Sequence, residues 1–170
     1  MKNLSKYLEV KEEMKTGDML LWKSHSLLGW LIRKKIHSNY THTALVIRLS
    51  EYEGLERRRW VTEALEHGTV LNLLSRRLLS YSGECWWVPL REDCANMRQG
   101  IGEKALGLIG IPYDYSSIIK QLIAKVSADV RSLFCFELSF LSYGGEGKVP
   151  TPDEMMETME IFKEPVKILE

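Results

Sequence analysis

Three short stretches of this chain carry the residue types of a nucleophile, a base and a group to hold the base. They are Cys135 in RSLFCFELSFLSYGG, His42 in YTHTALVI and Glu63 in WVTEAL. A thiolate attacks carbonyl carbon once its proton is made easy to lose, and a helix N-terminus or a neighbouring imidazolium does that. With Ser132 as N-cap, Cys135 falls at the third helical position, where unpaired backbone N–H groups and the macrodipole favour an anion. A carboxylate beside His42 would orient the ring, select its tautomer and stabilise its protonated form.

Each residue alone has a plainer explanation. Free cysteine is among the most buried residue types and mostly acts as a small hydrophobe. Apolar Phe134, Phe136, Leu138, Phe140 and Leu141 cover nearly every face of the Cys135 helix, so it is expected to be largely buried. His42 on a strand can be a satisfied histidine, and Glu63 a hairpin surface charge. The combination of base, orienter and nucleophile on geometrically compatible elements points to chemistry.

Positioning these groups requires a hairpin. Residues 41 to 49, THTALVIRL, and 60 to 65, WVTEAL, are β-branched and apolar, with polar SEYEGLERRR between them. A turn centred near residues 52 to 53 makes paired indices sum to about 105, which sets His42 opposite Glu63 on one face. A slip of one residue would separate them. TGDMLLW, TVLNLL and CWWVPL read as further strands, and SRRLLSYSGE as a small helix or turn. Residues 3 to 14 have helical spacing. SLLGWLIRKKIH is a short helix or structured loop, with Gly29 in its middle.

After Pro89 the pattern turns helical, in EDCANMRQGIGEKALGLIG and YSSIIKQLIAKV, joined by the turn GIPYDY. TPDEMMETMEIF opens with Thr151 as N-cap, Pro152 at the first helical position and Glu154 at the third, a capping box. PVKILE closes the chain as an edge strand. Strands between 18 and 90 and helices mostly beyond predict α+β with an antiparallel sheet. The 170 residues are expected to form a single domain, 1–170.

Composition removes several classes. Lys plus Arg equals Asp plus Glu, 23 each, so no global field draws the chain to nucleic acid or an anionic membrane. Cys85, Cys94 and Cys135 form an odd set without CxxC, against a disulfide framework or zinc knuckle. Reduced thiols and an N-terminus without an apolar signal core point to a cytoplasmic protein. No apolar run approaches the ~20 residues of a spanning helix. LLGWLIRKKIH joins apolar residues to a basic cluster as an interfacial membrane segment does, but reads better as core packing with a solvated end.

No metal or cofactor is expected, since HExxH is absent and no spacing converges ligands. His25, His37 and His67 lie in loop-like stretches, and Cys85 and Cys94 look structural. Asp18, in the GD turn, would line a cleft if it faced one. Tyr40 before the His42 strand and Tyr113 in the Pro turn are substrate-contact candidates, or ordinary tyrosines with paired hydroxyls.

The blocks GDMLLW, YTHTALVI, VTEAL, GIPYDY and FCFELSF resemble, in that order, the permuted papain-like amidases of the NlpC superfamily, the YiiX/YaeF/YebB-like group related to lecithin:retinol acyltransferases. The resemblance runs from about residue 16 to 145 and implies a papain-like fold with the catalytic Cys opening a helix. It also implies a Cys135, His42, Glu63 active site with Cys last, whereas ordinary papain-like enzymes place Cys first. Chain order is immaterial where geometry defines the triad.

One departure stands out: the group's usual CSEL reads CFEL here, with Phe136 after the cysteine. Glu137 is retained and reads as a structural anchor. The expectation is a cysteine hydrolase cleaving an amide in a cell-wall-type peptide or similar small molecule, with the Cys135 N–H as oxyanion donor. An acyltransferase or lipid esterase with the same triad, and an inactive binding module, are the alternatives. The expected partner is thus a small peptide, amide or lipid-like substrate. The sequence leaves oligomeric state open.

Overall fold

The computed structural model describes residues 3–65, 68–110 and 129–170, with side chains from 135 onward in the last segment. Six strands form one antiparallel sheet: β1 (Met19–Ser24), β2 (His42–Ile47), β3 (Trp60–Leu65), β4 (Gly68–Leu73), β5 (Gly83–Val88) and β6 (Val166–Leu169). Their order is β4-β3-β2-β1-β5-β6. Around the sheet lie α1 (Ser5–Val10), α2 (Leu27–Ile36), α3 (Leu74–Ser80), α4 (Arg98–Gly107) after a 3-10 turn at Glu92–Met97, α5 (Asp129–Ser142) and α6 (Pro152–Thr158).

Central β1 reads as a continuous apolar run, Met19 to Trp22, because both of its faces are covered. Side-chain alternation then sorts the core into two layers. Leu20, Trp22, Ala44, Val46 and Val61 pack with Tyr7 and Val10 of α1 and Leu74 and Leu78 of α3. Met19, Leu21, Leu45 and Ile47 pack with Ile101 and Ala105 of α4 and Met155 of α6. A smaller cluster joins Ala64 to Cys135, Phe136 and Leu138 of α5.

Two expectations on the site's frame are corrected. In the hairpin, Leu45 pairs with Thr62, Val46 with Val61 and Ile47 with Trp60, two residues from the expected register. Continued to the strand end, that register places Glu63 beside Ala44 rather than opposite His42. The second concerns α5, which runs from Asp129, so Cys135 is its seventh residue and not its third. An amide two turns into a helix is committed to the carbonyl four residues back. The helix-start field and the Cys135 N–H as oxyanion donor therefore fall away.

Gly29 sits inside α2 for a steric reason: a Cβ there would come within 2.6 Å of the Ser24 Cβ on β1. Ser26 caps this helix by accepting from the Gly29 N–H at 3.0 Å. With Gly29 turned inward, Leu27 is 76% exposed and Leu28, Trp30 and Leu31 are about half exposed. The expected core-packing role of that apolar run is thus corrected; Ile36 is what packs inward, against the Cys135 cluster. No helix among the described residues is long and apolar enough to cross a membrane. The capping box at Thr151 forms as expected, with Thr151 Oγ1 accepting from Glu154 N and Glu154 Oε2 from Thr151 N. The helix expected in YSSIIKQLIAKV and the turn residues 111–115 lie outside the described residues.

Candidate active site

His42 is the first residue of β2, paired with Trp22 of β1, and Glu63 is the fourth of β3. Although the register differs by two, an even displacement leaves both side chains on one sheet face, and diagonal neighbours remain within reach. His42 Nε2 lies 3.1 Å from Glu63 Oε2. The Glu63 carboxylate is fully buried and takes two further donors. Asn72 Nδ2 of β4 donates to Oε1 at 3.0 Å, and Arg77 Nε of α3 donates to Oε1 at 2.8 Å and Oε2 at 3.0 Å.

Arg77 is held from the other side by aromatic faces, its guanidinium carbon lying 5.3 Å from the Trp22 ring centre and 5.1 Å from that of Tyr81. Trp22 and Tyr81 meet edge to face at 4.8 Å. The guanidinium is thereby stacked as well as hydrogen-bonded, which fixes its fork.

Burial works against charge on Glu63, but the His42 hydrogen bond and charge, the Arg77 charge and the Asn72 bond outweigh it and hold the carboxyl at about 2. On His42, burial likewise disfavours the charged ring. The Cys135 charge and hydrogen bond, followed by the Glu63 bond and charge, override it and raise the ring to about 9. His42 is thus hydrogen-bonded to both Cys135 and Glu63. It joins a residue of α5 to a carboxylate whose other partners come from β4 and α3.

Cys135 itself has no solvent exposure and packs with Ala64, Phe136 and Leu138, with Ile36, Leu108 and Val149 around them. Two residues that sequence reasoning missed lock its helix to the sheet. Thr43 Oγ1 donates to the Cys135 carbonyl at 2.8 Å and lies 2.8 Å from Ser139 Oγ. Having spent its one proton on the carbonyl, Thr43 must accept from Ser139. The available signal was spacing: Ser139 follows Cys135 by one helical turn, and Thr43 adjoins His42.

The other expected residues sort differently. Asp18 is buried, and its oxygens accept from Lys15 N, Trp87 Nε1, Leu90 N and Arg98 Nη1 at 2.7 to 3.0 Å. That saturated carboxylate is a structural anchor, which corrects its placement in a substrate cleft. Tyr40 is half-buried, edge to face with Trp86 at 5.3 Å, and its hydroxyl is pushed up by burial and then by Asp153. Tyr113 and His67 lie outside the described residues.

Phe136 is 2% exposed and fills core. Cys85 is fully buried, with its thiol pushed well up by that burial, while Cys94 is partly exposed. His25 hydrogen-bonds Glu84 at 2.9 Å, and His37 ends α2 in a left-handed conformation. Among the described residues no three His, Cys, Asp or Glu side chains converge as a metal site requires.

No family model matches the chain, and no curated protein matches it. Among solved structures, it is similar to the crystal structure of metalloprotein yiiX from Escherichia coli O157:H7, DUF1105. The two share 21% identity and a TM-score of 0.55, over 80% of this chain and 68% of that one. That likeness is one of fold. The metal label belongs to that protein, and here the Glu63 oxygens are already taken by His42, Asn72 and Arg77.

Proposed function

We propose that this chain is a cysteine hydrolase on a permuted papain-like fold, cleaving an amide in a small peptide or similar substrate through Cys135, His42 and Glu63. The observation that carries the reading is the imidazole of His42 hydrogen-bonded at once to a thiol and to a buried carboxylate. With Nε2 on Glu63, Nδ1 is the nitrogen left for the thiol proton.

In the first half-reaction His42 takes the Cys135 proton and the sulfur attacks the amide carbonyl. The C–N bond then breaks as His42 returns that proton to the leaving amine, giving a thioester. In the second, His42 takes a proton from water, the resulting hydroxide adds to the thioester, and the C–S bond breaks to release a carboxylic acid and restore the thiol. Glu63 holds the ring and stabilises its cation throughout. Because Cys135 is buried, substrate reaches the sulfur only when the packing around it opens.

Alkylation by iodoacetamide, read per cysteine by mass spectrometry across pH, tests this. Cys135 should react at neutral pH at least about tenfold faster in the wild type than in His42→Ala, because the imidazolium supports the thiolate. Equal rates in the two proteins would remove the nucleophile from the proposal.

A further inference from the structure

At the β4 edge of the sheet a cavity of about 660 Å³ opens between the β3–β4 pair and α3. Arg58, Arg76, Arg77, Trp60, Asn72 and Ser80 line it together with leucines of β3 and β4, and among the described residues no carboxylate does. The charge there is uneven. Arg77 is neutralised by Glu63, whereas Arg58 and Arg76 are exposed and make no ion pair among the described residues. Trp60 also lines the cavity, so its indole resonance reports on whatever enters it.

Two guanidinium groups without a carboxylate partner among the described residues, set beside leucine side chains, describe the complement of an anionic group on a partly apolar molecule. We propose that this cavity is a binding site for a small ligand carrying a carboxylate or a phosphate, its charge between Arg58 and Arg76 and its apolar part on Leu65, Leu71 and Leu73. The site stands independently of any role for Cys135. It shares Asn72 and Arg77 with Glu63, so an occupant sits one side chain away from the carboxylate that holds His42.

The test is a titration of the full chain with inorganic phosphate and, separately, with succinate, at ionic strength held constant with sodium chloride. The ¹⁵N-indole resonances report it, with the Trp60 peak assigned from Trp60→Phe. The Trp60 peak should move saturably in at least one arm while the remaining indole peaks stay in place. Movement with phosphate alone selects a phosphate ligand, and movement with succinate alone a carboxylate. Arg58→Gln combined with Arg76→Gln should weaken the saturating arm at least about tenfold, as expected for loss of charge-assisted bonds.

Both arginines are exposed and make no ion pair among the described residues, so the double variant should keep the wild-type unfolding midpoint; if it does not, the two single variants are titrated instead. A Trp60 peak unmoved by both anions, one moved equally by chloride, or a variant that titrates like the wild type overturns the proposal.

Discussion

Two buried carboxylates, Asp18 just before β1 and Glu63 in β3, have almost the same inventory and opposite characters. Each is at most 1% exposed, and each meets an arginine, at 2.7 Å for Asp18 and 2.8 Å for Glu63. Asp18 also accepts two backbone amides, those of Lys15 and Leu90, and the Trp87 indole. Its arginine, Arg98, continues to the carbonyls of Thr16 and Leu90. Among the described residues the donors of Glu63 are all side chains, and one of them, His42, can itself lose a proton within the ordinary pH range. Backbone donors make a carboxylate a staple. A titratable donor makes it adjustable, because the charge of the pair can change without the chain moving.

Removing the staple is expected to have the largest effect. Asp18→Ala leaves the Arg98 guanidinium, the Trp87 indole, the buried Leu90 amide and the Lys15 amide without their acceptor, which costs about 3–5 kcal/mol. Urea unfolding would show it as a lower midpoint at unchanged slope, while Cys135 in the remaining folded molecules keeps its alkylation rate. A loss under about 1 kcal/mol would place Asp18 and Glu63 in one class and break the comparison.

Glu63→Gln should cost less, about 1–3 kcal/mol, because Arg77 is part-exposed and stacked on two rings and so keeps some solvation and its position. Its sharper signature is in pH. The His42 ring is raised to about 9 from an unfolded value near 6.5, so its contribution is full below about 6.5 and is lost as pH rises through about 9. In Glu63→Gln that alkaline loss narrows, since the Glu63 bond and charge are gone while Cys135 remains.

Glu63, held at about 2, stabilises above its ordinary value near 4.5 and is lost as pH falls toward about 2, a limb the variant lacks altogether. Unfolding free energies at a series of pH values check both limbs. Superimposable profiles for the wild type and Glu63→Gln would show that the carboxylate does not tune the ring.

The comparison also shows which parts of the site are legible in a linear sequence. That His42 and Glu63 share a face follows from period-two alternation, which survives a register error of two because only parity decides the face. The strands and the α+β class followed from the same alternation and from turn residues. The fate of Asp18 did not, because its indole and guanidinium partners stand 69 and 80 positions along the chain. Asn72 and Arg77 were passed over for the same reason: nothing local marks an edge-strand amide or a helix arginine as the support of a particular carboxylate.

The start of α5 was misplaced because SADVRS offers several cap-forming residues, and tertiary packing, not capping preference, selects among them. The outward face of α2 was likewise settled by one contact that no periodicity encodes, the approach of Gly29 to Ser24.

The finest distinction between the two carboxylates rests on Asn72. Its Nδ2 donates to Glu63 Oε1 at 3.0 Å, an oxygen that Arg77 Nε also reaches at 2.8 Å, and β4 is an edge strand. In Asn72→Ala the carboxylate therefore keeps Arg77 and His42, and water at the sheet edge can take the vacated lone pair. The expected loss is about 1 kcal/mol, a fall in Tm of about 2–4 °C for a chain of this size. The Cys135 alkylation rate should not change, since the His42 bond runs to the other oxygen, Oε2. A loss as large as that of Asp18→Ala would mean that side-chain donors pin a carboxylate as firmly as backbone ones. The adjustable character assigned to Glu63 would then have to come from His42 alone.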